Sequence, residues 1–188
     1  MRPNPLDAKQ PEYGDAVAVL VGKMDPLHMD YCRAAEGLLS RSDVKHVWVC
    51  PLSSSPEADV HVRNMTTIFC SDFSLNKRQI SCCTVALDKK IGDAAAIASW
   101  LRSKFPFLKF TLATLASEPA RDQQPTIAIR LGVAASETPA GASLMLLPQY
   151  MPSPTDLKTR IGSGLNEERH FIAPIWGYVQ SKRLYREN

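Results

Sequence analysis

No stretch of this 188-residue chain approaches the ~18 consecutive apolar residues that a membrane-spanning helix needs. No cysteine pair has the spacing of a zinc knuckle or a CxxC redox motif. The five cysteines are odd in number, which fits small buried side chains in a reducing compartment better than a disulfide framework. Charge of one sign is also scarce: a formal +3 permits an anionic ligand but argues for neither nucleic acid nor a membrane surface. There is no internal repeat and no low-complexity tract. The opening "MRPNPLDAKQPEYGD" has no apolar core, so it reads as a flexible arm over 1–15 rather than a secretory signal, and a cytoplasmic protein is expected. Glycine is sparse too, nine against fourteen prolines, so proline-stopped loops are expected.

What is present is an alternation. The runs "AVAVLV" (16–21), "VKHVWVCP" (44–51), "ISCCTVAL" (80–87), "KFTLATL" (109–115), "TIAIRL" (126–131) and "SLMLLP" (143–148) read as strands. Helical patterns fall at 29–40, 61–73 and 93–106, then from Thr155 or Asp156, and last over 173–185 with Pro174 in its first turn. "SSSPEAD" reads as a loop, and Asp93 as a helix cap. Cys82 and Cys83 should point to opposite faces of their strand. Strands alternating with helices predict βαβ units, a mainly parallel sheet of five to six strands flanked by helices, and one domain over 16–188. Ligands of such sheets bind beyond the carboxyl ends of the strands.

The stretch "VGKMDPLHMDYCRAAEGLL" (21–39) lies at such an end. Gly22 allows a sharp turn and close backbone approach, and Pro26 fixes the loop. His28 stands where a helix begins, near first-turn N–H groups that suit an anion. A histidine there can equally serve as a cap. Late in the chain, "PSPTDLKTR" (152–160) places Ser153 and Thr155 at a helix N-terminus with Lys158 one turn in. That pattern also fits an ordinary capped helix with a solvated lysine. His46, His61 and His170 have no partners at metal spacing and read as surface or packing residues. Trp48 and Trp100 read as core, Trp176 as packing the last helix on the sheet, and Arg63 and Arg130 as structural ion-pair partners. "SKRLYR" (181–186) reads as a basic helix end.

The first stretch resembles the opening of the nucleotidyltransferase superfamily, nearest to the nicotinate or nicotinamide mononucleotide adenylyltransferases, whose pattern is roughly G-G-S-F-D-P-x-H-x-G-H-L-x-x-A-E-x-A-L. Gly22, Asp25, Pro26, His28, Ala35, Glu36 and Leu39 are in register. The family's second motif, I-S-S-T-x-I-R, resembles 152–160, with Ser153, Thr155 and Leu157 in register and Lys158 at the arginine place. "VRNM", "AIASWLRSKFPFLKFTL", "AIRLG" and "FIAPIWGYVQSKRLY" follow in the family's order, so the resemblance runs from about residue 16 to 185.

It implies a Rossmann-like nucleotidyltransferase fold. It also implies transfer of a nucleotidyl group from ATP, or another nucleoside triphosphate, to a mononucleotide, with pyrophosphate released. That is a step of NAD biosynthesis, and Mg2+ serves as cofactor in the active enzymes. His28 and Lys158 take the catalytic places. Gly22, Lys23, Met24, Tyr31, Ser153 and Thr155 take nucleotide- and phosphate-binding places. No metal ligand, nucleic acid or membrane partner is implied, and homo-oligomerisation is compatible with it.

The chain departs from the pattern where chemistry is concentrated. Asp30 replaces a glycine and Tyr31 a second histidine. "ATLASE" (113–118) lacks the Gly and Asp of the family's G-x-D-x-L, and "ASEPARDQQP" is too short for the helix that should follow. The loop after the second strand lacks the family's basic residues. A preorganised donor at developing charge supplies ~3 kcal/mol, so losing one costs a hundredfold or more in rate. Asp30 as a metal ligand, or Lys23 as a substitute cation, would offset part of that. The alternative is a catalytically silent relative that binds a nucleotide or a protein.

Overall fold

The structure is a computed structural model that describes residues 17–42, 44–74, 79–106, 108–117 and 143–186. The expected N-terminal arm, the strand at 126–131, Arg130 and most of the segment joining the fourth strand to it lie outside the described residues.

Among the described residues five strands form one parallel sheet: β1 (Val17–Gly22), β2 (His46–Pro51), β3 (Ile80–Cys82), β4 (Phe110–Ser117) and β5 (Ser143–Gln149). Their order is β3-β2-β1-β4-β5. Strand β1 is central, with Val19 opposite Trp48 on one side and Leu112 on the other, and all six of its residues are buried. That burial explains its continuous apolar sequence. Period-two alternation splits it between two cores. Ala18 and Leu20 face α1 (Met29–Leu39), α2 (Pro56–Ser74), α5 (Pro154–Gly162) and α6 (Ala173–Ser181). Val17, Val19 and Val21 face α3 (Val85–Asp88) and α4 (Ala94–Lys104). Cys82 and Cys83 divide the same way, one packed on each core, and all five cysteines are free thiols.

Chain order reverses between β1 and β4, so the crevice at the carboxyl ends of these strands is the switch point where open α/β sheets take ligands. Two connections reach it: Gly22 to His28 after β1, and Tyr150 to Ser153 after β5.

Several expected boundaries are corrected. Helix α2 begins at Pro56, not residue 61, and takes in the last four residues of the expected loop "SSSPEAD". Ser55 Oγ accepts the Ala58 N–H at 3.2 Å, and proline suits a first helical position. The third strand stops at Cys82 rather than running to 87. The Thr84 hydroxyl donates to Asp88 at 3.2 Å, closing the turn of α3. The last helix ends at Ser181, because Arg183 (φ 50°) and Tyr185 (φ 66°) are left-handed and turn the chain back over the molecule. Asp93 does cap α4, accepting the Ala96 N–H at 2.8 Å. Trp48 is buried, Trp100 is half-buried, and Trp176 stacks on Phe171 with ring centres 5.5 Å apart. Arg63 pairs with Asp88 at 2.6 Å, the structural role expected for it.

Candidate functional site

The β1–α1 loop is packed like core. Met24, Leu27 and His28 are 0, 0 and 1% exposed, which leaves Lys23 as its exposed member. Met24 holds a left-handed φ of 53° that β-branched or bulky residues avoid, and its complete burial in the core keeps it there. The Met24 side chain thus belongs to the core, so any contact of Met24 with a phosphate would come from its backbone. Gly22 is where this loop needs glycine. A Cβ there would sit 2.4 Å from the Tyr31 hydroxyl and 2.9 Å from its ring. Tyr31 fills that space and hydrogen-bonds the Met24 backbone, and burial pushes its phenol up to about 12. Tyr31 thus braces the loop as a neutral group.

His28 is the N-cap of α1. Its Nδ1 accepts the Asp30 N–H at 3.4 Å, which assigns the ring proton to Nε2. Burial is the main force on the ring and lowers its pKa to about 4; Asp30 opposes that shift, and His170 adds to it. The imidazole is therefore neutral at pH 7. Its Nε2–H is buried and has no partner among the described residues. A buried donor without a partner is uncommon, and a ligand is one explanation for it.

Asp30 was expected to be a charge spoiling a phosphate site or a metal ligand, and the structure gives it other work. It is 1% exposed. Its Oδ2 accepts the N–H groups of Tyr150 (2.8 Å) and Met151 (2.7 Å), and its Oδ1 accepts from Arg33 at 3.2 Å. One carboxylate on helix α1 thereby ties down the connection that leads into α5. His170 closes the same corner, with Nδ1 2.8 Å from the Met151 sulfur and Nε2 2.9 Å from Glu167.

The second motif is capped and paired. Ser153 is the N-cap of α5. Its Oγ accepts the Asp156 N–H at 3.1 Å and donates to the Asp156 carboxylate at 2.7 Å, so its hydroxyl is committed to the helix. Thr155 is exposed in the first turn. Lys158 does turn toward the first loop, but it forms an ion pair with Asp25. Asp25 also accepts the Tyr185 hydroxyl at 2.6 Å, and the Lys158 ammonium lies 5.4 Å from the Tyr185 ring centre. Burial and the Asp25 charge raise the Tyr185 phenol's pKa, so it stays a donor. The basic tail 181–186, read as a plain helix end, thus delivers a residue to the site. Asp25, Tyr185, Asp30 and His170 are the residues missing from the expected set. The terminal "LY" and the in-register Asp25 were the available signals for two of them.

No group of three or more His, Cys, Asp or Glu among the described residues could hold a metal ion. Asp25 and Asp30 are both engaged. These residues do not form a magnesium cage. No helix among the described residues is long and apolar enough to cross a membrane.

Taken together, the sheet order and the two loops at the switch point define a Rossmann-type α/β fold. Solved structures agree on the fold. The chain is similar to a Plasmodium falciparum nicotinic acid mononucleotide adenylyltransferase complexed with APC (TM-score 0.64, 12% identity, 91% of this chain and 97% of that one). It is also similar to a Vibrio parahaemolyticus structure assigned as a nicotinate-nucleotide adenylyltransferase (TM-score 0.64, 14% identity, 93% and 97%). The Plasmodium protein complexed with NaAD superposes with TM-score 0.55 at 13% identity, covering 91% and 97%. No protein-family model and no curated protein matches the chain.

Proposed function

We propose that the chain binds a nucleoside phosphate at the β1/β4 switch point, and that the reaction built on this site is transfer of the adenylyl group of ATP to a mononucleotide of the nicotinate type. The observation that carries the reading is the neutral, buried His28 at the start of α1, whose Nε2–H has no partner among the described residues. A neutral imidazole donor suits a phosphate oxygen and leaves the helix N-terminus to supply the positive field. The structures that share the fold, with APC or NaAD bound, support the ligand class. In such a transfer a phosphate oxygen of the mononucleotide attacks the α-phosphorus of ATP, and the bond to the β-phosphate oxygen breaks. Pyrophosphate leaves. This chain's part is positioning and charge stabilisation: His28 donates to a phosphate, Lys158 supplies a cation once Asp25 releases it, and the exposed Lys23 and Thr155 line the approach. Mg2+ would enter on the nucleotide and neutralise its phosphates.

A second reading is binding without transfer. It is favoured by the engaged state of the site: Asp30 holds the Tyr150 and Met151 N–H groups, Asp25 holds Lys158, and Tyr31 replaces a second imidazole. Calorimetric titration of ATP and of CTP, with and without magnesium, on wild type and His28→Ala tests the shared core of both. Binding that His28→Ala weakens tenfold or more is expected. Affinity unchanged in the variant would remove His28 from the site. Pyrophosphate release with nicotinate mononucleotide then separates the readings, since steady release supports transfer and its absence despite binding supports the second.

A further inference from the structure

Asp30 makes two features of the site one. Consecutive backbone N–H groups that converge on one point form an anion seat. The N–H groups of Tyr150 and Met151 converge in this way, and the anion between them is the Asp30 Oδ2, at 2.8 and 2.7 Å. The occupant comes from the first turn of α1, two residues after His28. His28 itself is 1% exposed, and its Nε2–H has no partner among the described residues. The buried carboxylate therefore does two things at once. It fills a seat made of backbone donors, and it fastens the β5–α5 connection to the helix that carries His28. The orphaned Nε2–H is an independent sign that a ligand belongs in this corner.

We infer that Asp30 is the protein's own occupant of a phosphate seat, and that it sets ligand choice by favouring nucleotides with few phosphate charges over the polyphosphate chain, which must displace it to bind. The inference rests on the nucleotide-binding reading above and extends it to the ligand's charge. A fixed carboxylate beside the seat repels each added phosphate, and the Lys158 cation is already paired with Asp25. A nucleoside monophosphate needs the His28 donor alone. A triphosphate needs the seat as well.

The test is titration of AMP and of ATP, in EDTA, into the intact wild type, Asp30→Asn and Asp30→Gly. Asparagine removes the charge while keeping an acceptor oxygen for both N–H groups, so it guards against a glycine variant that fails to fold. Wild type should bind AMP at least tenfold more tightly than ATP. Both substitutions should raise ATP affinity tenfold or more and leave AMP affinity within threefold. ATP binding that appears only in the variants would also support the inference, and would replace transfer from ATP by the second reading, binding without transfer. An ATP-to-AMP ratio unchanged by either substitution would overturn it, as would an equal loss of both ligands, which would make Asp30 a structural brace. If neither nucleotide binds wild type or either variant, the nucleotide-binding reading itself fails and takes this inference with it.

Discussion

The two connections at the switch point are held by different physics. The β1–α1 loop is fixed by packing: Met24 and Leu27 are buried in the core, and the Tyr31 ring fills the space above Gly22. The β5–α5 connection is fixed by charge and hydrogen bonds: Asp30 takes two of its N–H groups, and Ser153 caps the helix that follows. Packing makes the first loop a rigid platform for His28. Hydrogen bonds to a single carboxylate make the second a clasp that one substitution can undo. The site is therefore a fixed half and a fastened half, and its opening is expected at the second.

Asp30→Ala should break the clasp with the largest loss. It leaves two backbone N–H groups without their acceptor, so a drop of ~4 kcal/mol in unfolding free energy is expected. Asp30→Asn should cost ~1 kcal/mol. Urea denaturation of both variants checks this, and equal losses would mean the charge rather than the hydrogen bonds holds the connection. Next comes acid. The His28 pKa falls from 6.5 in the unfolded chain to about 4 in the fold, so the unfolded state binds more protons between those values. The contribution of His28 to stability is intact above pH 6.5 and is lost as pH falls toward 4, by up to ~3 kcal/mol. His28→Gln should remove this loss, read as a smaller difference in urea midpoint between pH 7 and 4.5. The same slope in both proteins would contradict a buried neutral imidazole.

The packed half is tested by Gly22→Ala. Overlap with the fully enclosed Tyr31 should cost ~2 kcal/mol. Because the nearest atom is the tyrosine hydroxyl, Tyr31→Phe in the same chain should recover part of it, a coupling of ~1 kcal/mol. Strictly additive losses would mean the backbone, not Tyr31, absorbs the methyl group. The smallest effect is Ser153→Ala, ~1 kcal/mol for a lost cap, with nucleotide affinity unchanged if Ser153 serves only its helix. A large loss of affinity would return Ser153 to the phosphate contacts.

The sheet was legible because a strand buried on both faces must be apolar, as β1 is throughout and β2 is after His46. Helix α4 was legible from its cap. Elements set by a few local bonds were not: the start of α2 depends on Ser55 and Pro56, and the break after Cys82 on Thr84 and Asp88. His28 could be found because a Pro-x-His sequence before an amphipathic helix has a local meaning. The partners of Asp30 could not. They are backbone N–H groups 120 and 121 residues away, and any residue type except proline supplies one. Tyr185 meets Asp25 across 160 residues for a similar reason: a left-handed turn, not a helix, brings it there. Read alone, Asp30 looks like a charge in the wrong place; in the fold it is the fastening of the second loop.

The most direct measurement is a long-range proton–nitrogen spectrum of the four histidine rings, recorded at pH 7 with and without AMP. The account predicts that His28 is neutral with its proton on Nε2, and that AMP shifts the Nε2 resonance while leaving the ring neutral. A His28 ring protonated at pH 7, carrying its proton on Nδ1, or unmoved by saturating AMP would contradict it.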